Sequence, residues 1–204
     1  MQEINVRRIL ALTLFVISAA GCSTEPLAGP AAINGPSQSE YASVVKKYTV
    51  KTNQYSGFYQ TFQADMTILT TEMQTEALRQ RGSFMQWDQK EYQTEREKML
   101  QECSAYSKFF MRFYSPERDY DDLHKGKSIW KVYLDYGGQR FEGKVKKSPD
   151  KYVELKTEFP YLDRFSTPYE ITFNVPMSTI EKGPAKVTLT SSLGSAEFVF
   201  PGEK

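Results

Sequence analysis

Between Phe58 and Leu69 the chain alternates: Phe58, Phe62, Ala64, Met66 and Ile68 fall on one side, and Tyr59, Thr61, Gln63, Asp65 and Thr67 on the other. This two-residue period predicts a strand with one packed face and one wet face. The run "SVVKKYTVKT" from Ser43 alternates too and predicts a strand before it. After Ile68 the period changes. A Thr71-x-x-Gln74 capping box and a terminal Gly82 bracket a run of helix formers. A second helix is expected from Asp88 to Cys103, its thin apolar stripe of Tyr92, Met99 and Cys103 placing it on the surface. Strand signals return in "SKFFMRFYS" from Ser107. Next comes "SIWKVYLDYGGQRFEGKVKKS", where Gly137-Gly138 supplies the pair a tight primed turn needs. In "PYEITFNVP" Tyr169, Ile171, Phe173 and Val175 share a face, and "AKVTLTSSLGSAEFVF" reads as a closing hairpin. The expected fold is mainly β with a helical insertion. It is an antiparallel β-sandwich or open barrel of about seven to nine strands, with one or two surface helices after the second.

The N-terminal pattern is different. Arg7 and Arg8 precede an uncharged apolar run from Ile9 to Gly21, the order of an export signal. The run is shorter than the about 20 residues of a membrane-spanning helix. Arg7-Arg8 lacks the flanking residues of a twin-arginine signal, so export by the general route is expected. The sequence Ala19-Ala20-Gly21-Cys22 resembles the lipobox of bacterial lipoprotein precursors. The resemblance covers the first two dozen residues and names no family for the rest. It implies that Ala19, Ala20 and Gly21 are recognised by a lipoprotein signal peptidase and that Cys22 is the lipidated residue. It also implies that Cys22 becomes the mature N-terminus, carrying acyl chains such as palmitate. Two or three such chains make a stable membrane anchor, since each buried methylene adds about 0.8 kcal/mol. Ser23 and Thr24 stand where inner-membrane lipoproteins often carry aspartate, so the resemblance implies an outer-membrane location, facing the periplasm, if the cell is Gram-negative.

The expected organisation is a signal peptide over 1–21, a lipidated cysteine and flexible linker over 22–39, and one globular β-rich domain over 40–204. Within the linker, "STEPLAGPAAINGPSQS" has prolines, glycines and no period. Of 26 basic and 25 acidic residues, Arg7, Arg8 and Glu3 lie in the signal, which leaves 24 of each. No field remains to gather nucleic acid. Aromatic content is 14%, enough to furnish a β core. With Cys22 acylated, Cys103 is the remaining thiol and reads as a small buried apolar group.

Candidate chemistry is sparse. His124 is the chain's one histidine, in "PERDYDDLHKGK" with Asp119, Asp121 and Asp122. Clustered carboxylates suit a hard cation, but the spacing matches no calcium loop and nearby Arg118, Lys125 and Lys127 favour a solvated acidic loop. No nucleophile elbow, P-loop, H-E-x-x-H or C-x-x-C motif occurs. No enzyme, metal or cofactor is expected. The expected role is a binding or structural module for a cell-envelope partner, with Trp87, Trp130 and exposed tyrosines as anchors. The alternative is a carrier of apolar ligands in a cavity lined by Phe109, Phe110, Met111, Phe113 and the Met66 face.

Overall fold

A computed structural model describes residues 32–202. The signal segment, Ala19, Ala20, Gly21 and Cys22 lie outside the described residues. Two antiparallel sheets form a β-sandwich of nine strands with helices after the second strand. In chain order the elements are α1 (Gln38–Lys47), β1 (Thr49–Ser56), β2 (Tyr59–Ile68), α2 (Thr71–Phe84), α3 (Gln89–Ala105), β3 (Ser107–Tyr114) and β4 (Lys131–Tyr136). They continue with β5 (Gln139–Glu142), β6 (Lys144–Lys147), α4 (Tyr152–Glu158), β7 (Thr167–Phe173), α5 (Met177–Ile180), β8 (Ala185–Ser191) and β9 (Gly194–Phe200). One sheet runs β1-β2-β3-β7-β6 and the other β5-β4-β8-β9.

The inner faces follow the sequence pattern. Phe62, Ala64 and Met66 from β2, Phe109, Met111 and Phe113 from β3, and Tyr169, Ile171 and Phe173 from β7 are fully buried. Val187, Leu189 and Phe198 meet them from the second sheet. Gly137 and Gly138 take φ of +57° and +78° between β4 and β5, the left-handed pair a type I′ turn requires. The chain passes from one sheet to the other at Gly143, whose N–H donates to the Val132 carbonyl at 2.8 Å. A Cβ there would stand 2.9 Å from the Phe173 ring and 3.0 Å from Ile171, so a glycine is needed where the chain crosses over to pair beside β7.

Several local expectations are corrected. The strand expected from Ser43 begins at Thr49, and α1 precedes it. Ser37 and Glu40 close a capping box, the Glu40 N–H donating to Ser37 Oγ at 3.3 Å and the Ser37 N–H to Glu40 Oε2 at 2.8 Å. Helix α2 is capped by Thr70, which accepts from the Met73 N–H, and it runs through Gly82 to Phe84. Phe58 does not join the Phe62 face. Ser56 pairs with Tyr59, so Gly57 and Phe58 form the turn itself, with Gly57 at φ +61°. The face of β2 expected to be wet is covered: Asp65 and Thr67 are buried. The cover is the segment after α4, where the Phe159 ring stacks on Phe110 of β3 at 3.6 Å and Tyr161 shares a hydrogen bond of 2.5 Å with Thr67.

Candidate interaction surfaces

Beneath that cover lies a line of charge. Arg112, opposite Asp65 in the β2–β3 register, points an Nη1 at Asp163 Oδ2 (3.2 Å) and at Asp65 Oδ2 (3.5 Å). Lys51 of β1 approaches Asp65 from the other side at 3.7 Å. Burial raises the Asp65 carboxyl above its usual range, against the pull of Arg112 and Lys51. The consequence is positional. Asp163, held by Arg112, accepts from the Phe165 N–H (2.8 Å), the Ser166 N–H (3.0 Å) and the Ser166 hydroxyl (2.9 Å), and this turn leaves the Phe165 ring in solvent.

The acidic loop serves the same end of the sandwich. Asp121 accepts from the Tyr169 hydroxyl at 2.9 Å and from the Thr167 hydroxyl, pinning the loop to the start of β7. Burial, then the Asp121 charge, pushes the Tyr169 phenol far above its usual value. Asp122 accepts from Ser128 at 2.8 Å. His124 is exposed, its ring 6.0 Å from that of Tyr169. The loop expected to be solvated is thus tied down in part: Asp121 and Asp122 hold it by hydrogen bonds, while Asp119 is exposed. Among the described residues no three His, Cys, Asp or Glu side chains converge as metal ligands. Cys103 is buried on α3 away from His124's neighbours, donating to Met99 Sδ at 3.6 Å and accepting from Gln74 Nε2 at 3.0 Å. Burial raises its thiol pKa.

Among the described residues, exposed apolar side chains gather at two places. The first is aromatic and sits at the β1–β2 turn. Phe58 is 108% exposed, with Tyr55 and Tyr59 of the flanking strands 60% and 50% open. Tyr59 donates to Glu117 at 3.2 Å, and the adjacent Arg118 donates to the Phe165 carbonyl at 3.1 Å. The hairpin tip and the Phe165 turn therefore flank one Glu117–Arg118 step.

The second is a groove of about 440 Å³ between the end of α2 and α4, lined by Phe84, Met85, Trp87, Val153, Arg81 and Glu158 among others. A Schellman motif ends α2: the Trp87 N–H donates to the Gly82 carbonyl at 2.9 Å and the Gln86 N–H to Ser83 at 3.4 Å. Gln86 holds the left-handed position at φ +55° where glycine is usual, costing on the order of 1 kcal/mol. The motif turns Phe84 and Met85 outward, 64% and 66% exposed, while Val153 of α4 is 73% exposed across from them. Gly82 explains itself here: a Cβ would lie 2.5 Å from Ile33 Cδ1 and 2.9 Å from the Trp87 ring. Arg81 and Glu158 pair across the groove.

Of the aromatic anchors expected from sequence, Trp87 borders the groove, but Trp130 is buried. Its indole donates to the Tyr120 carbonyl at 2.7 Å and its rings pack edge-on to Phe62 (4.9 Å) and Phe113 (5.1 Å). Phe109, Met111, Phe113 and Met66, expected to line a carrier cavity, are fully enclosed in the core, with Phe109 against Phe173 and Phe200. Phe84, Met85 and Phe165 had no signal in the sequence, since an exposed apolar side chain and a core one look alike there. No helix among the described residues is long and apolar enough to cross a membrane. No family model, curated protein or solved structure matches the chain.

Proposed function

We propose that the protein is an exported cell-envelope lipoprotein, cleaved before Cys22 and anchored by lipid on it, whose β-rich domain is a non-catalytic docking module for an envelope partner. Support for the anchor is the sequence order of basic, apolar and small residues ending at Cys22. The observation that carries the docking role is the aromatic end of the sandwich. Phe58 stands free in solvent, and two separate sets of contacts hold the neighbouring loops: Arg112 pairs with Asp163, and Asp121 accepts from Tyr169 and Thr167. Covering one such ring on a partner is worth ~1.5–3 kcal/mol. Loops whose backbone is already held lose less entropy on binding.

The test is site-specific photocrosslinking of the lipidated protein in its own cells. A photoreactive residue at position 58 is expected to give a discrete adduct, and one at the exposed, distant Val199 none. The adduct should fade when Tyr59 and Phe165 are both replaced by serine. Absence of adducts at 58, 59 and 165 alike would overturn the docking role.

A further inference from the structure

We infer that the groove formed by Phe84, Met85, Trp87 and Val153 is the domain's membrane-facing surface, and that it seats in the interface of the bilayer holding the lipid anchor. The inference rests on the proposed lipidation of Cys22. Its structural basis is where the described chain begins. The Ile33 N–H donates to the Trp87 carbonyl at 3.1 Å, and the Ile33 side chain lies over Gly82. The polypeptide therefore leaves the domain at the rim of the groove. Ten residues separate Cys22 from Ile33, so in any conformation the intervening chain spans at most about 40 Å. A lipid on Cys22 tethers this rim within about 40 Å of the headgroups. The aromatic hairpin lies at the opposite end of β2 from the start of α2, a ten-residue strand about 33 Å long.

The chemistry of the groove suits a lipid interface. Trp87 stands at the edge, where an indole favours the headgroup boundary, and Phe84, Met85 and Val153 project as short apolar side chains suited to shallow insertion. The rim carries Asp150, Glu154 and Glu158 against Arg81, so its charge opposes anionic lipid and the occupant is a zwitterionic interface.

The experiment uses the acylated protein reconstituted in phosphatidylcholine vesicles and in the same vesicles with brominated acyl chains, which quench tryptophan on contact. The Trp87 signal is the difference between the parent and Trp87→Phe, because Trp130 is enclosed in the core and constant. Trp87 emission is expected to fall about two-fold or more in brominated vesicles, as for an interfacial indole. The variant with Phe84→Ser and Met85→Ser, both at exposed positions, should lose most of that quenching while still floating with the vesicles. A parent that floats but shows equal Trp87 emission in both vesicles overturns the inference and leaves the anchor intact. A blue-shifted but unquenched Trp87 assigns the groove to another segment or a second copy, and also overturns it. A parent that does not float lacks the lipid, and both readings fall together.

Discussion

Replacing Asp121 by alanine separates a structural role for the acidic loop from a cation-binding one. Asp121 receives the hydroxyls of Tyr169, which is fully buried, and of Thr167, which is nearly so. Hydrogen bonds to a charged acceptor are worth about 1.5–3 kcal/mol each, and a buried donor left without a partner costs about 1–3 kcal/mol. Thr167 lies close enough to the surface for water to replace part of its loss, whereas Tyr169 does not. The expected destabilisation is therefore about 3–4 kcal/mol, a large share of the 5–15 kcal/mol typical of a domain. In urea unfolding with a slope of about 2 kcal/mol/M, the midpoint should drop by roughly 1.5–2 M. Tyr169→Phe removes the donor without orphaning it and should cost about 1 kcal/mol. The double variant should be hardly worse than Asp121→Ala, giving a coupling of about 1 kcal/mol or more. Every value should be the same with calcium or with chelator. A loss below about 1 kcal/mol, or a parent that gains stability with calcium while the variant does not, would refute the reasoning.

Gly143→Ala should cost about 1–3 kcal/mol through overpacking against Phe173 and Ile171, read from the same unfolding curves; a neutral effect would mean the crossing is looser than described. For Asp65, a folded pKa raised by burial contributes stability that is fully present below the ordinary aspartate value and is lost as pH rises through the raised one. The stability difference between Asp65→Asn and the parent should accordingly move in favour of the variant as pH rises above the ordinary aspartate value of about 4. Movement the other way would show that Arg112 and Lys51 outweigh burial. The Cys103 thiol, buried and with its pKa raised, should react with a thiol reagent at neutral pH about 100-fold or more slowly than in urea-unfolded protein. Equal rates would contradict its packing against Met99.

The strands were legible where one inner face governs the local sequence. The Phe62-Ala64-Met66 and Tyr169-Ile171-Phe173 alternations and the Gly137-Gly138 turn each report a constraint acting within a few residues. The outer face of β2 was not legible, because Phe159 and Tyr161, which cover it, follow some ninety residues later. Nothing beside Asp65 marks it as buried. Two misreadings had signals that were present. Ser37-x-x-Glu40 is a capping box for α1, and Gly57 beside Phe58 is a turn signal that removes Phe58 from the core face. Gly82 was misread for a physical reason: a glycine late in a helix looks like a terminus, whereas this one makes room for Ile33 and Trp87. Of the candidate surfaces, Trp87 was visible and the outward set of Phe84 and Met85 was not. It depends on a left-handed glutamine, a conformation that residue type seldom announces.

The claim that this domain works from a lipid anchor is tested most directly by the mass of the N-terminal peptide. It should be taken from protein purified out of its own membranes, for the parent and for Cys22→Ser. The account predicts that the parent begins at Cys22 and carries a diacylglyceryl group, with or without an amide-linked acyl chain. It predicts that Cys22→Ser is an unmodified precursor retaining residues 1–21. A parent whose N-terminus lies elsewhere, or whose Cys22 carries no lipid, would contradict it.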